Sequence, residues 1–432
     1  MKINRLLIEG ADLIDGTGGP VIKDSLVLIE GNRIAYAGPG TARFEDFPAK
    51  RWRLPGKTLI PGLIEAHTHA GFDADMLAYV KNGITTIRFA GFNQADVVKL
   101  RRRIEAGELI GPRILSCGPM IDQPPTAYPE WSLAVETPAQ AAAAAERLIV
   151  DDEVEFLILT QRVTAPVMRA VVEAAHAHGR TVLAQTWALD GREAAELGID
   201  ELHNSSRVCV SRTYPTERLL GYASIADRLA LSGRAWATID WGATLPLMEA
   251  MIRHGVAYCG MQVITQFQAG DGGAELEADV DFAALFGSAE RASFLAFTRR
   301  LQGSWTPPDL DCWRRANDNR IEWMRRFRAM GGTLLIGTDM QFGGIMLHRE
   351  IRNMAALGAS PLEVIAMASG GCARALGRQA TLGTVEAGRL ADIVVLNRDP
   401  LADLGALRDV AAVLKDGVLS WRDPIGGLGP PP

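Results

Sequence analysis

Leu59-Ile60-Pro61-Gly62-Leu63-Ile64-Glu65-Ala66-His67-Thr68-His69-Ala70-Gly71 reads as a short apolar strand, entered through Pro-Gly and ending in two histidines and a glycine. Residues two apart on a strand point to the same face, so His67 and His69 project together from the strand's carboxyl end. That end is where a (β/α)8 barrel carries its chemistry, and imidazole nitrogens are common metal ligands. A His-x-His pair alone is weak evidence, because the same spacing arises by chance on ordinary strands. The Pro-Gly-Leu-Ile lead-in makes it much stronger.

Downstream of this stretch the pattern is strand then helix, repeated, which argues for a parallel sheet. The candidate strands are Leu63–His67, Thr85–Phe89, Arg113–Cys117, Glu155–Leu159, Thr181–Gln185, Glu201–Asn204, Ala257–Met261 and Thr333–Gly337. Helix starts are well marked. Thr137-Pro138 pairs a cap with proline at the first helical position, ahead of an alanine run. Ser360-Pro361-Leu362-Glu363 adds a capping-box glutamate. Residues 262–320 carry aromatic and charged side chains without a clear strand, and this excursion before the last strand is a candidate lid.

Upstream, residues 1–58 alternate apolar and polar between turn signals, as short antiparallel strands do. Leu26–Ile29 and Arg33–Gly38 form one predicted hairpin. At the far end, Leu382–Leu396 is again strand-like, and Val413–Ser420 is a second predicted hairpin. A sheet as small as either end provides does not stand alone easily, so the two ends are expected to pair. The tail, Gly426–Pro432, is expected to be loosely ordered.

The 432 residues suffice for one large barrel and a smaller partner domain, and the 48% of hydrophobic residues can build a sizeable core. The formal net charge of -6 is scattered, without a basic block for nucleic acid. The first residues lack the pattern of a signal peptide, and no apolar run is long enough to span a bilayer. The expectation is a cytoplasmic protein with a small-molecule substrate and no nucleic-acid or membrane partner. Five dispersed cysteines without a Cys-x-x-Cys pair point to neither a disulfide framework nor a thiolate zinc site.

With Gly337-Thr338-Asp339 in the last strand, the chain resembles the amidohydrolase superfamily, the metal-dependent hydrolases of the imidazolonepropionase and prolidase type. The resemblance covers nearly the whole chain. It implies an α/β fold: a distorted (β/α)8 TIM barrel over residues 61–379, with a small β-sandwich built from residues 1–60 and 380–425. It also implies that Asp339 ligates metal and takes a proton from the attacking water, and that the protein is a homodimer. His348, after the last strand, resembles a family feature near the substrate.

The other ligands the family uses are missing. Ile158 stands where the fourth strand should carry a bridging, carboxylated lysine. Gln185 and Asn204 stand where the fifth and sixth strands should end in histidines. His203 is one residue early, and a one-residue shift in a strand flips a side chain to the other face unless a bulge re-aims it. In the second strand Phe89 follows the arginine, where many relatives have aspartate. A two-metal centre needs anionic ligands to offset about four positive charges, and Ile158 supplies none. His67, His69 and Asp339 could still hold one zinc.

The barrel mouth also reads as apolar, with Phe89, Phe92, Ile158, Trp187, Met261, Met340 and Phe342 at or just past strand ends, as small-molecule sites usually are. His176, His178 and His254 read as helix C-terminal residues. The first functional expectation is therefore an enzyme without a metal cofactor, acting on a neutral, largely apolar molecule by cyclisation, dehydration, isomerisation or elimination. His67, His69 and Asp339 serve as acid–base groups, with Gln185, Asn204 and His203 orienting the substrate. The alternatives are a one-zinc hydrolase of a C–N or ester bond and a non-catalytic small-molecule binding protein.

Overall fold

The computed structural model describes residues 5–42, 48–69, 73–91, 94–204, 206–270, 273–303 and 305–424. Phe92, the Ala70-Gly71 end of the opening stretch and the tail 426–432 lie outside the described residues.

All eight candidate barrel strands are present, in short form: Leu63–Thr68, Ile84–Phe89, Arg113–Ser116, Phe156–Leu159, Thr181–Ala184, Glu201–His203, Ala257–Cys259 and Leu334–Leu335. The first three pair in parallel as one sheet, and the last five as another. Backbone hydrogen bonds join the two into a TIM-barrel-like ring. Glu155 N–H donates to Ser116 O at 2.9 Å, and Ala66 N–H donates to Ile336 O at 3.0 Å. Two short strands, Met120–Asp122 and Ser132–Ala134, extend the second sheet outside the ring beside Leu159. Their pattern is too short to stand out in the sequence.

The strands are buried on both faces, as in parallel sheets, and polar side chains such as Glu65, His67, Arg88, Glu201 and His203 are buried among the apolar ones. Both marked helix starts form as expected. Thr137 and Ser360 each cap a helix reciprocally, with Gln140 and Glu363. The excursion after the seventh strand folds as helices Gln262–Gln268, Gly273–Ala278, Val280–Leu285, Ser288–Gly303 and Pro307–Ala329. An aromatic cluster of Phe267, Phe282, Phe286 and Phe342 holds it to the barrel.

The chain ends meet in one eight-stranded sheet. Thr58–Pro61 is its joint: it pairs in parallel with Asp12 and Leu13 and antiparallel with Ile393–Leu396. The two predicted hairpins are there, Ile22–Glu30 with Arg33–Pro39 and Val410–Lys415 with Val418–Arg422. The strand expected over Leu382–Leu396 is confined to Ile393–Leu396. Gly383 and Gly388 both take left-handed backbone (φ +86° and +90°), which breaks an extended run. A Cβ on Gly383 would lie 2.6 Å from Ala373 Cβ, so the chain can cross this point only as glycine.

Candidate active site

The centre is built where the first and eighth strands touch. Gly337 sets their approach, because a Cβ there would meet Cys259 Sγ at 2.8 Å and His67 N at 2.9 Å. The backbone N–H groups of Thr338 and Asp339 donate to His67 O at 3.1 and 2.8 Å. Asp339 then turns left-handed (φ 56°), a conformation aspartate tolerates better than most residues. The turn brings its Oδ1 to 2.8 Å from His69 Nε2 and 3.6 Å from His67 Nε2. One ligand atom from each of the three residues lies within 4.8 Å of the others.

Beneath this trio is a buried polar layer. Glu65 Oε1 accepts from the N–H groups of His67 and Thr338, both at 3.0 Å, tying the two strands together. Burial outweighs those bonds and raises the Glu65 carboxyl to about 8, so it is protonated at neutral pH. Arg88 donates to Ala66 O and to Glu201 Oε1, the latter at 2.6 Å, with both side chains buried. Burial, with His203, His69 and Arg88 close by, holds His67 well below the usual imidazole range, so it is neutral and its lone pair is available.

The fourth to sixth strands supply a different wall. Ile158 is buried on the same side of its strand as Phe156, whose ring lies under the Arg88 guanidinium, so both face the barrel interior. The Gln185 Oε1 accepts from Tyr128 Oη at 3.0 Å. Asn204 donates from Nδ2 to Asp339 Oδ2. His203 also reaches the centre, its ring 4.6 Å from that of His67. Strict alternation would have sent one of these neighbours away. The strand ends at His203, and Asn204 is left-handed (φ 49°), so the backbone turns and both side chains converge. Burial lowers His203 to about 3 against the pull of Asp339, and it too is neutral.

Sequence reasoning missed three residues beside Gln185. Arg228 donates to Tyr128 Oη at 2.6 Å and lies over the Tyr128 ring. Tyr128 stacks toward Trp131, which stacks in turn toward His69 at 6.4 Å between centroids. Tyr128 and Trp131 sit in the stretch between the third and fourth strands. No motif marks them, and a Tyr-x-x-Trp spacing is the only trace in the sequence.

Several expected pocket residues are placed elsewhere. Trp187 packs with Leu219, Ala235 and Tyr222 in a separate cluster. Met340 belongs to the aromatic cluster under the 262–303 excursion, though its carbonyl accepts from Thr68 Oγ1 at 2.8 Å. Met261 is fully buried as the left-handed residue before helix Gln262–Gln268. Phe89 ends the second strand, buried between Thr68 and Ser116. His348, expected near the substrate, instead donates from Nε2 to Asn82 O at 2.9 Å, where burial lowers it to about 3. His176 and His178 reach Asp200 and Glu146 at the helix end, as ordinary surface pairs.

The donor set could hold a divalent ion. Two imidazoles and a carboxylate converge, and three protein ligands with an open position is the common pattern of catalytic zinc. On the fourth to sixth strands His203 keeps a ring nitrogen without a partner among the described residues, and the other expected positions offer a second ion less. Ile158 has no donor, Gln185 Oε1 is taken by Tyr128, and Asn204 presents its N–H side to Asp339.

Among solved structures, the fold is similar to a Xaa-Pro dipeptidase with bound methionine, at 22% identity and TM-score 0.69, covering 97% of this chain and 100% of that one. Curated relatives match over short stretches. An imidazolonepropionase of Cereibacter sphaeroides is 34% identical over 112 residues, 24% of this chain and 28% of the relative. A 5-methylthioadenosine/S-adenosylhomocysteine deaminase of Symbiobacterium thermophilum is 36% identical over 69 residues, 16% of each. The matches thus span less than a third of either relative's length. The amidohydrolase family model matches residues 58–419, from the strand before the two histidines to the last hairpin, and the chain belongs to the amidohydrolase family.

Proposed function

We propose that this enzyme hydrolyses an amide-type C–N bond in a neutral, largely apolar small molecule, at a centre that holds one divalent ion, zinc. The convergence of His67, His69 and Asp339 on one point carries this reading. The names of the relatives, a deaminase, an imidazolonepropionase and a dipeptidase, accord with it. His67, His69 and Asp339 would hold the ion, which supplies a Lewis acid and a water of lowered pKa. Asp339 takes the proton of the attacking water and passes it to the leaving nitrogen. Asn204 donates to Asp339 Oδ2 and fixes the carboxylate's plane, so Oδ1 faces the histidines. Gln185, held by Tyr128, orients the substrate carbonyl. Ile158 faces the barrel interior and offers a charged substrate no partner, which disfavours one.

Elemental analysis of protein purified without chelator tests the reading. We expect about one zinc per chain, by the three-ligand rule, and activity lost on chelation. Two ions per chain would overturn it. Activity that survives chelation, with metal well below one equivalent, would select a second reading: acid–base chemistry without metal, such as cyclisation, dehydration, isomerisation or elimination. One observation favours that reading. Asp339 is already hydrogen-bonded by both His69 and Asn204, an arrangement that can exchange protons unaided.

We also propose that residues 1–60 and 380–425 form one domain folded as a sandwich, with residues 61–379 as the catalytic barrel. Ile8, Val27, Trp52 and Leu59 share a buried cluster with Val385, Ile393 and Leu414, which supports it. A chain truncated after residue 379 should be insoluble. If it folds cooperatively in solution, the shared domain is refuted.

A further inference from the structure

Asp339 is tied to the first strand on both of its sides. Its own N–H donates to His67 O at 2.8 Å. Just beyond it, the carbonyl of Met340 accepts from Thr68 Oγ1 at 2.8 Å and from the His69 N–H at 3.4 Å. Thr68 stands between the two histidines, and neighbours on an extended strand point to opposite faces. On its own face the Thr68 hydroxyl meets Tyr79 Oη at 2.6 Å, on helix Asp73–Lys81. Thr68 and Tyr79 are both fully buried.

These bonds can run in only one direction. A backbone carbonyl only accepts, and a hydroxyl has one proton to give. Thr68 therefore gives its proton to Met340 O, and Tyr79 gives its own to Thr68. Burial, with the Glu65 and Asp75 carboxyls nearby, holds the Tyr79 phenol well above its usual range, so it keeps the proton it donates. The sequence gives up helix propensity to make room for this contact. Helix Gly343–Ala356 opens with two glycines, the poorest helix formers after proline. A Cβ on Gly343 would lie 2.5 Å from Tyr79 Oη and 2.7 Å from Thr68 Oγ1, and one on Gly344 would lie 2.6 Å from Tyr79 N.

We propose that Tyr79 and Thr68 are positioning residues for the centre: the relay from Tyr79 through Thr68 to Met340 O sets where the Asp339 carboxylate stands against His69. Tyr79 acts through Thr68, and Thr68 acts through the backbone that follows Asp339. What they set is the 2.8 Å approach of Asp339 Oδ1 to His69 Nε2. With the Met340 carbonyl released by Thr68, the left-handed turn at Asp339 loses its main tie on one side, and the carboxylate can swing off the imidazole. Without Tyr79, the Thr68 hydroxyl is free to rotate away from that carbonyl. This role rests on the reading of His69 and Asp339 as acting groups, which the turnover of Asp339→Asn tests separately.

The test is NMR of the full chain, as purified, carrying 15N-labelled histidine. It needs no substrate, so its failure is distinct from a failure to find turnover. The His69 ring resonances are assigned by His69→Gln, and Asp339→Asn gives their position without the carboxylate. Thr68→Val keeps the shape and lacks the hydroxyl, and it should move the His69 resonances toward that position. Thr68→Ser restores the hydroxyl and should return them to the wild-type position. Tyr79→Phe removes only the far donor and should move them the same way by less; it decides the matter if Thr68→Val does not fold. His176, paired with Asp200 at the surface, should stay in place throughout. His69 resonances unmoved by Thr68→Val, or by Tyr79→Phe where that variant alone folds, would overturn the proposal. So would equal displacement in Thr68→Ser and Thr68→Val, or a lowered urea midpoint in Tyr79→Phe with His69 unmoved, which marks a bond that only stabilises the fold.

Discussion

The two arcs of the barrel mouth are built alike and equipped differently. The first and eighth strands present two imidazoles and a carboxylate, all able to bind metal or move protons. The fourth to sixth strands occupy equivalent places in the ring and present an isoleucine, an amide held by tyrosine, a buried neutral imidazole, and an amide that donates to the opposite arc. The backbone frame therefore does not dictate chemistry; the side chains at strand ends do. In our reading the first arc acts, and the second arc holds and orients.

Asp339→Asn should break the contrast most severely, since it leaves the shape and removes the one carboxylate of the acting arc. We expect kcat to fall by at least about 10²-fold, with folding intact by circular dichroism. Near-normal turnover would move the chemistry off this arc.

Arg88→Met should come next. It strands Glu201 as a buried carboxyl without its partner, which typically costs about 3–5 kcal/mol. Adding Glu201→Leu should restore most of that loss in urea unfolding. If the double variant is as unstable as the single one, the pair is not what holds the layer beneath the site.

Gln185→Leu sharpens the comparison from the holding side. It removes the acceptor of the Tyr128 hydroxyl, so KM should rise by roughly tenfold, the scale of one polar contact, while metal content stays as in the wild type. A loss of metal instead would place Gln185 in the acting arc.

The smallest expected effect lies outside both arcs. His348 has a folded-state value of about 3, below the ordinary imidazole value of about 6.5. The sign follows from linkage: the unfolded chain takes up the proton first, so stability is full above about pH 6.5 and falls as pH drops toward 3. His348→Gln keeps a donor for the Asn82 carbonyl and removes that titration. Its urea midpoint should decline less between pH 7 and pH 4 than that of the wild type.

The fold was legible because buried parallel strands write themselves as apolar runs, and all eight appear within a residue or two of their expected places. The convergence of His67, His69 and Asp339 was legible for a similar reason, since they sit in short motifs at strand ends. His203 was harder. Alternation is a rule about extended backbone, and it stopped applying where Asn204 turned left-handed. Tyr128, Trp131 and Arg228 were not legible at all. Their positions depend on how a loop and a distant helix pack, and no local pattern encodes that. The same limit bears on Trp187 and Met340, which follow strand ends in sequence yet pack into neighbouring clusters, and on His348, which is buried against the Asn82 carbonyl.

The strand Thr58–Pro61 also bears on how the protein is made. It leaves the ribosome long before Ile393–Leu396, to which one of its two edges belongs. At about 5–20 residues per second, synthesis of the stretch between the two lasts roughly 15–70 s. For most of that time the edge stands open beside a nascent barrel, where another chain's strand can take it. Completion of the terminal sheet is thus a late, long-range event. Crowded translation, rather than heat or denaturant, is the condition under which this architecture is most exposed.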